Sequence, residues 1–291
     1  MYKKHKKNKY DKYIYVNKKY FVYRRHHKDI TITKSFLNKV DVLCYKFIQH
    51  LKLKSNINKF NELGYVIVKD FLFENELNDV LNAAQKHYEY SLNLFEHEGH
   101  YRLNSPTNLN KIEGACEFEP EFLKIAKNPT LVNTAKQIIN TQETLDVYIS
   151  KFFPMKPKVG ISTYLHQDNF YFNGDPNTIV SCAIYLQDTN KENGCLRVVP
   201  ESHEIGIIPH DAISHIEGIQ WIDERRLNPN WILDLELEAP YAVFFNINLI
   251  HGCYNNTSDR TRFSLAWEYI ESSNKNVASS PDKWCDRNLV G

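Results

Sequence analysis

Apolar positions follow two rhythms along the chain, helical in the first half and alternating from about residue 145 onward. Residues 34–63 keep a proline-free helical spacing that ends at Phe60 to Gly64, where the short run Tyr65-Val66-Ile67-Val68 predicts a strand. Leu77, Val80, Leu81, Ala84, Tyr88, Leu92 and Phe95 then line up on one face behind the acidic start Glu74 and Glu76, which predicts a long amphipathic helix. Another helix is predicted after Asn128-Pro129, a capping residue followed by proline, with Leu131, Val132, Ala135, Ile138 and Ile139 on its buried face.

Beyond that point short apolar runs recur at 147–153, 179–186, 195–199, 232–237, 241–245 and 262–270. Turn chemistry such as Asn173-Gly174-Asp175-Pro176 and Asn193-Gly194 separates them, the pattern of a β sandwich or barrel. The expected fold is therefore mainly β with flanking α-helices. One domain is expected over residues 31–291, with its β core at about 145–270, preceded by a basic extension over 1–30.

Composition narrows the class. With 42% hydrophobic residues in 291, only ten glycines, and no apolar run near the roughly 20 residues of a membrane span, disordered, fibrous and membrane-spanning readings fall away. The net charge of +1 conceals an asymmetry: residues 1–28 hold eleven Lys and Arg against the single acid Asp11, so the rest of the chain is net acidic. Tyrosines interleave with those lysines, the one hint of nucleic-acid contact, but a solvated extension is the expectation. No apolar stretch follows the basic start as a signal peptide would require. The six cysteines form no CxxC pair, so reduced thiols and a cytoplasmic setting are expected.

Two histidines and a carboxylate on one side of a metal leave adjacent positions open, which suits non-haem iron binding a cosubstrate and oxygen together. His166-Gln167-Asp168 with His251 offers such a set. His87 and Glu89 are two apart on a helix and point to different sides, and His27 with Asp29 lies in the basic extension. His215 and Glu217, near His203 and His210, leave a zinc site in a long loop as an alternative. In the run from Arg262 to Ile270, Phe263, Leu265, Trp267 and Tyr269 face one way, and Arg262, Ser264 and Ala266 the other. A guanidinium in a β core needs a partner, either a dicarboxylate that also chelates the metal or a protein acid.

Several blocks in order resemble the phytanoyl-CoA dioxygenase family of Fe(II)- and 2-oxoglutarate-dependent oxygenases, over roughly residues 56–270. They are Phe60 to Leu72, His166 to Phe172, Glu192 to Pro200 with Ser202-His203, and His251 to Ser258 leading to Arg262. The resemblance implies a double-stranded β-helix, the cupin-like jelly roll. It also implies His166, Asp168 and His251 as iron ligands, and Arg262, with Ser264 as a second donor, as the anchor of 2-oxoglutarate. Position-by-position comparison adds Lys111, Tyr148 and Ile184 as further cosubstrate positions.

Glu201 stands where the family often has Gly, and Cys253 where it often has Ser. Members with Ala or Gly in place of the iron carboxylate are halogenases, so Asp168 implies oxygenation. The implied reaction joins O2 and 2-oxoglutarate to hydroxylate a small molecule, releasing succinate and CO2. Phe170, Phe172, Arg102 and Trp221 are the substrate-side candidates, with segments 97–118 and 210–231, the latter including Arg225 and Arg226, as lids. A non-catalytic protein, or a cupin-like metalloenzyme independent of 2-oxoglutarate, is the competing reading, favoured if Arg262 is paired with a protein carboxylate.

Overall fold

The computed structural model describes residues 57–105, 108–212, 220–274 and 287–291. The basic extension, most of the helix expected over 34–63, and His215 with Glu217 lie outside the described residues. The described residues fall in one compact unit. After a helix over 57–63 (α1) come β1 (Tyr65–Lys69), α2 (Glu74–Ser91), β2 (Tyr101–Ser105), β3 (Asn108–Glu113), α3 (Ala115–Phe118), α4 (Pro120–Ala126) and α5 (Pro129–Ile138). The β region follows with β4 (Leu145–Met155), α6 (Asn169–Phe172), β5 (Ile179–Tyr185), β6 (Leu196–Val198), β7 (Asp211–Ala212), β8 (Gln220–Trp221) and β9 (Leu233–Leu235). It closes with β10 (Tyr241–Phe245), β11 (His251–Cys253), β12 (Arg262–Glu271) and β13 (Arg287–Leu289).

Antiparallel pairing builds a main sheet in the order β1-β10-β5-β12-β4-β3-β2, with β13 also on β4, and a small sheet in the order β11-β6-β9. The two sheets face each other as the halves of a double-stranded β-helix, the expected jelly roll. Strand alternation gives the main sheet two different faces. Phe263, Leu265, Trp267 and Tyr269 of β12, Val180, Cys182 and Ile184 of β5, and Phe244 of β10 pack in one cluster with Val80 and Ala84 of α2, Phe122 of α4 and Leu131 of α5. Each large side chain so buried contributes roughly 1.5–3 kcal/mol. The opposite face presents Ala183, Tyr185, Val243 and Phe245 to Leu196 and Val198 of β6 and Leu235 of β9.

The helices start where the sequence puts their caps. Asn128 accepts a 2.9 Å hydrogen bond from the Thr130 N–H through Oδ1 and donates through Nδ2 to the Phe71 carbonyl at 2.7 Å, tying α5 to the end of β1. Glu76 of α2 reaches back to accept from the Phe73 N–H at 2.9 Å. That helix stops short of the expected Phe95, which is exposed. The chain tightens after Tyr90 into i→i+3 bonds at Asn93 and Leu94, and the Ser91 hydroxyl donates to the Tyr88 carbonyl.

Segment 97–118 is not a lid. Its polar text forms β2 and β3, which extend the edge of the main sheet, and the short α3. The two departures from the family pattern find local explanations. Glu201 adopts φ +67°, the left-handed region that glycine occupies at no steric cost, so the backbone turn survives without the glycine. Cys253 takes the hydrogen bond available at its place, its Sγ accepting from the Thr163 N–H at 3.2 Å.

Candidate active site

The site begins with a backbone pairing. His166 and His251, 85 positions apart, exchange both N–H···O bonds at 2.9 Å, an isolated antiparallel bridge. Residues paired in this way point to the same face, and the two rings lie 4.3 Å apart between centroids. The approach is close enough that Gly252 has no room for a side chain: a Cβ there would sit 2.6 Å from the Thr163 carbonyl oxygen.

Each histidine donates through Nδ1 to the carbonyl two residues before it, His166 to Tyr164 at 2.9 Å and His251 to Leu249 at 3.0 Å. A carbonyl only accepts, so the proton sits on Nδ1 and each Nε2 carries its lone pair toward the cavity. Asp168 completes the set, its Oδ1 lying 3.4 Å from His166 Nε2 and 3.7 Å from His251 Nε2. The other oxygen, Oδ2, accepts from the Ser181 hydroxyl at 2.6 Å. Ligand atoms of all three residues fall within 4.8 Å of one another, and among the described residues no other group of three or more His, Cys, Asp or Glu does so.

The residue between His166 and Asp168 holds the loop. Buried Gln167 donates from its side chain to the Gly206 carbonyl at 2.8 Å and the Asn248 carbonyl at 2.6 Å, and accepts from the Ile208 N–H at 2.9 Å. Its own N–H donates to His210 Nε2 at 3.0 Å, while His210 Nδ1 donates to the Ile208 carbonyl at 2.8 Å. Both nitrogens of His210 are thus engaged, which removes it from the alternative zinc cluster.

Burial sets the charges. It pulls the His251 imidazole down to about 4, so the ring is neutral at pH 7. For Asp168 burial works against ionisation, but the adjacent His251 and His166 overcome it and hold the carboxyl well below the usual range. The neutral His251 imidazole, His166 with its Nε2 turned to the same point, and one carboxylate are the donor types that a divalent iron site uses.

A pH dependence follows for the metal-free protein. Unfolded His251 takes up its proton near pH 6.5 and folded His251 near 4, so its contribution is complete above pH 6.5 and is lost as the pH falls toward 4. The total is on the order of 3 kcal/mol, and His210, also lowered by burial, adds in the same sense. Urea titrations should show stability falling across this window, with a shallower slope for His251→Gln. A flat profile in the parent would contradict the assignment.

The cavity extends from the triad along the inner face of the main sheet, with a volume of about 130 Å³. Arg262 and Ser264 line it, as the alternation of β12 predicts. Arg262 is 2% exposed; its guanidinium donates to Ser264 Oγ, Met155 Sδ and, at 3.4 Å, the Asn193 carbonyl, and lies 5.2 Å from the Tyr185 ring centroid. No carboxylate pairs with it among the described residues, so the protein-acid reading of this arginine fails. A buried cation facing a cavity, held only by neutral acceptors and with the Ser264 hydroxyl beside it, fits the carboxylate end of a bound molecule.

The remaining sequence candidates divide. Trp221 stands edge-on to the His166 ring at 5.4 Å, held on the β7–β8 hairpin. Phe170 stacks instead on His210, with centroids 4.1 Å apart, and Phe172 is described only as the last backbone residue of α6. Tyr148 and Ile184 lie off the cavity: Ile184 is in the helix-side core, with Ala183 and Tyr185 taking the cavity face of β5, and Tyr148 packs with Ile179, Ile247 and Ile270. Lys111 and Arg102 both pair with Glu113, at 2.7 and 3.0 Å, and Asn110 lines the cavity in their place. Arg225 and Arg226 are engaged by Asp223 and Asp211. Sequence reasoning missed Ser181, Lys151 and Glu268, which also line the cavity; the even strand period on β5, β4 and β12 was the only signal for them.

Comparison with known proteins agrees with this geometry. The phytanoyl-CoA dioxygenase (PhyH) family model matches residues 60–264. The chain is 26% identical over 199 residues to phytanoyl-CoA dioxygenase domain-containing protein 1 of Danio rerio, covering 66% of each chain. In structure it resembles EctD from S. alaskensis with 2-oxoglutarate and 5-hydroxyectoine (TM-score 0.64, 18% identity, 80% of this chain and 83% of that one). It likewise resembles the epimerase SnoN in complex with Fe3+, alpha ketoglutarate and nogalamycin RO (TM-score 0.62, 18% identity, 83% and 96%). The chain belongs to the phytanoyl-CoA dioxygenase family of oxidoreductases.

Proposed function

We propose that the protein is an Fe(II)- and 2-oxoglutarate-dependent dioxygenase that hydroxylates a C–H bond of a small molecule, releasing succinate and CO2. The observation that carries this reading is the buried Arg262, without a carboxylate partner among the described residues, in the same cavity as the His166, Asp168 and His251 set. Iron with 2-oxoglutarate and O2, when bound, supplies the oxidising chemistry.

The chain's own residues hold and aim. His166 and His251 present Nε2 atoms fixed by their Nδ1–H bonds, and Asp168 presents Oδ1 because Ser181 holds Oδ2. Arg262 and Ser264 receive the distal carboxylate of 2-oxoglutarate at the far end of the cavity. The apolar walls, Phe153, Leu196 and Phe245, exclude water between these ends. Free thiols at Cys116, Cys182, Cys195 and Cys253 support a reducing, cytoplasmic setting.

Anaerobic Fe(II) titration with and without 2-oxoglutarate tests the reading through the visible charge-transfer band of the chelate. A band that requires both components supports it. Bound iron in folded protein without a band in the presence of 2-oxoglutarate would overturn it. Ser181→Ala should weaken iron binding by about 10-fold or more, the usual effect of removing a group that orients a ligand, and Ser181→Thr, which keeps the hydroxyl, should restore part of it. Equal iron affinity in the parent and the alanine variant would remove Ser181 from the site.

A further inference from the structure

The end of the cavity that holds Arg262 contains one more hydroxyl than the anchor uses. Arg262 and Ser264 share the inner face of β12, and the register sets Tyr185 of β5 directly opposite Ser264. Residues paired in this way point to one face, so Tyr185 lines the same end of the cavity as the two anchor residues. Comparison within the family named the neighbouring position, Ile184, which strand alternation turns into the helix-side core.

Two neighbours fix the ring of Tyr185. The Arg262 guanidinium carbon lies 5.2 Å from its centroid, and Tyr241, its partner on β10, stacks on it with centroids 4.8 Å apart and planes 12° from parallel. The two phenols differ in what they bond. The Tyr241 hydroxyl is joined to Thr189 Oγ1, whereas the Tyr185 hydroxyl has no hydrogen-bond partner among the described residues, although the residue is only 3% exposed. An enclosed hydroxyl without a partner is costly, and this one belongs to a cavity wall. Burial holds the phenol well above its ordinary pKa, more than Arg262 draws it down, so it stays a donor at neutral pH.

The donor count points the same way. A carboxylate offers about four acceptor sites. Arg262 gives its Nε–H to the Asn193 carbonyl and one hydrogen each to Ser264 Oγ and Met155 Sδ, which leaves two of its five N–H donors. Ser264 accepts from Arg262 and keeps its own proton to give. Two N–H groups and one O–H leave one acceptor site of a bound carboxylate open. We propose that Tyr185 is a further cosubstrate-binding residue, its hydroxyl donating to the distal carboxylate of 2-oxoglutarate and so sharpening the preference for a dicarboxylate over a 2-oxo acid with an apolar end. The inference rests on the oxygenase reading and adds to it a specificity-determining residue.

The test uses the full-length protein with Fe(II) under anaerobic conditions. The probes are 2-oxoglutarate and 2-oxopentanoate, which has the same chain with a methyl in place of the distal carboxylate. Half-saturation for each is read from the visible chelate band, and the parent should take 2-oxoglutarate at the lower concentration. Tyr185→Phe removes the hydroxyl and keeps both ring contacts. It should raise half-saturation for 2-oxoglutarate by about 10-fold or more, the effect of losing one hydrogen bond to a charged group, and leave that for 2-oxopentanoate within about 2-fold.

Thermal melts give a second readout. Metal-free Tyr185→Phe should melt at or above the parent's temperature, because its hydroxyl has no protein partner to lose, and iron with 2-oxoglutarate should raise its melt by less than the parent's. Unchanged half-saturation for 2-oxoglutarate overturns the inference while the oxygenase reading stands. Equal weakening toward both acids, or a metal-free melt well below the parent's, would make the ring a structural part of the wall and overturn it too. A parent that takes both acids equally well removes the carboxylate anchor altogether. No band with either acid in the parent removes the oxygenase reading itself.

Discussion

Asp168→Ala protein is expected to lose the iron–2-oxoglutarate band, with Fe(II) affinity reduced at least about 100-fold, and to show no succinate release. The expectation follows from what the carboxylate does in the set. A histidine brings no negative charge, so Asp168 supplies the only one of the three, and its Oδ1 lies within 3.7 Å of both Nε2 atoms. A ligand should matter at least as much as the groups that orient ligands, whose removal costs 10–100-fold.

Asp168→Asn separates charge from shape. It keeps the size of the side chain and an oxygen for the Ser181 hydroxyl, so metal-free stability at pH 7 should stay close to the parent. Iron affinity should still fall by about 100-fold, because a neutral amide is a poor ligand for a hard divalent ion. Calorimetric iron titration and thermal melts of the three proteins check both halves. Parent-like iron binding by Asp168→Ala would move the metal elsewhere.

The metal set and its anchor were legible in the sequence for one reason each. The short spacing His166-Gln167-Asp168 keeps two donors on one local turn, and the strict alternation from Arg262 to Tyr269 fixes which side chains share a face. The backbone bridge that brings His251 to His166 spans the whole β core and has no local signature. Tyr148 and Ile184 fail through register and parity. A one-residue difference on a strand moves a side chain to the other face, and β4 carries an irregularity opposite Ala266 and Glu268. On β5, which pairs with β12 without a register shift, alternation alone puts Ala183 and Tyr185, rather than Ile184, on the face of Ser264 and Ala266. The edge strands β2 and β3 went unseen because Tyr-Arg-Leu-Asn-Ser has no apolar alternation; sheet pairing supplies what propensity does not. Lys151 is one of 36 basic residues, and only the fold sets it apart.

Arg262→Met should produce opposite shifts in two measurements on one protein. In the metal-free, ligand-free state the guanidinium is buried against Ser264, Met155, the Asn193 carbonyl and the Tyr185 ring, with no carboxylate among the described residues to offset its desolvation. Replacing such a charge with an apolar side chain of similar length is neutral or stabilising by about 1–4 kcal/mol. The free variant should therefore melt at or above the parent's temperature. With iron and 2-oxoglutarate the order should reverse. The parent gains about 2.7 kcal/mol when the cosubstrate is at 100 times its dissociation constant, which raises the melting temperature by several degrees in a chain of this size. The variant has lost the partner of the distal carboxylate, and truncating one side of a buried charged pair costs about 2–5 kcal/mol, so its affinity should fall roughly 30-fold to 1000-fold or more and its melt should barely respond. Arg262→Lys keeps the charge without the two-pronged geometry and should fall between. A variant that is strongly destabilised when free yet still stabilised by 2-oxoglutarate would make Arg262 a structural residue and leave the cosubstrate without its anchor.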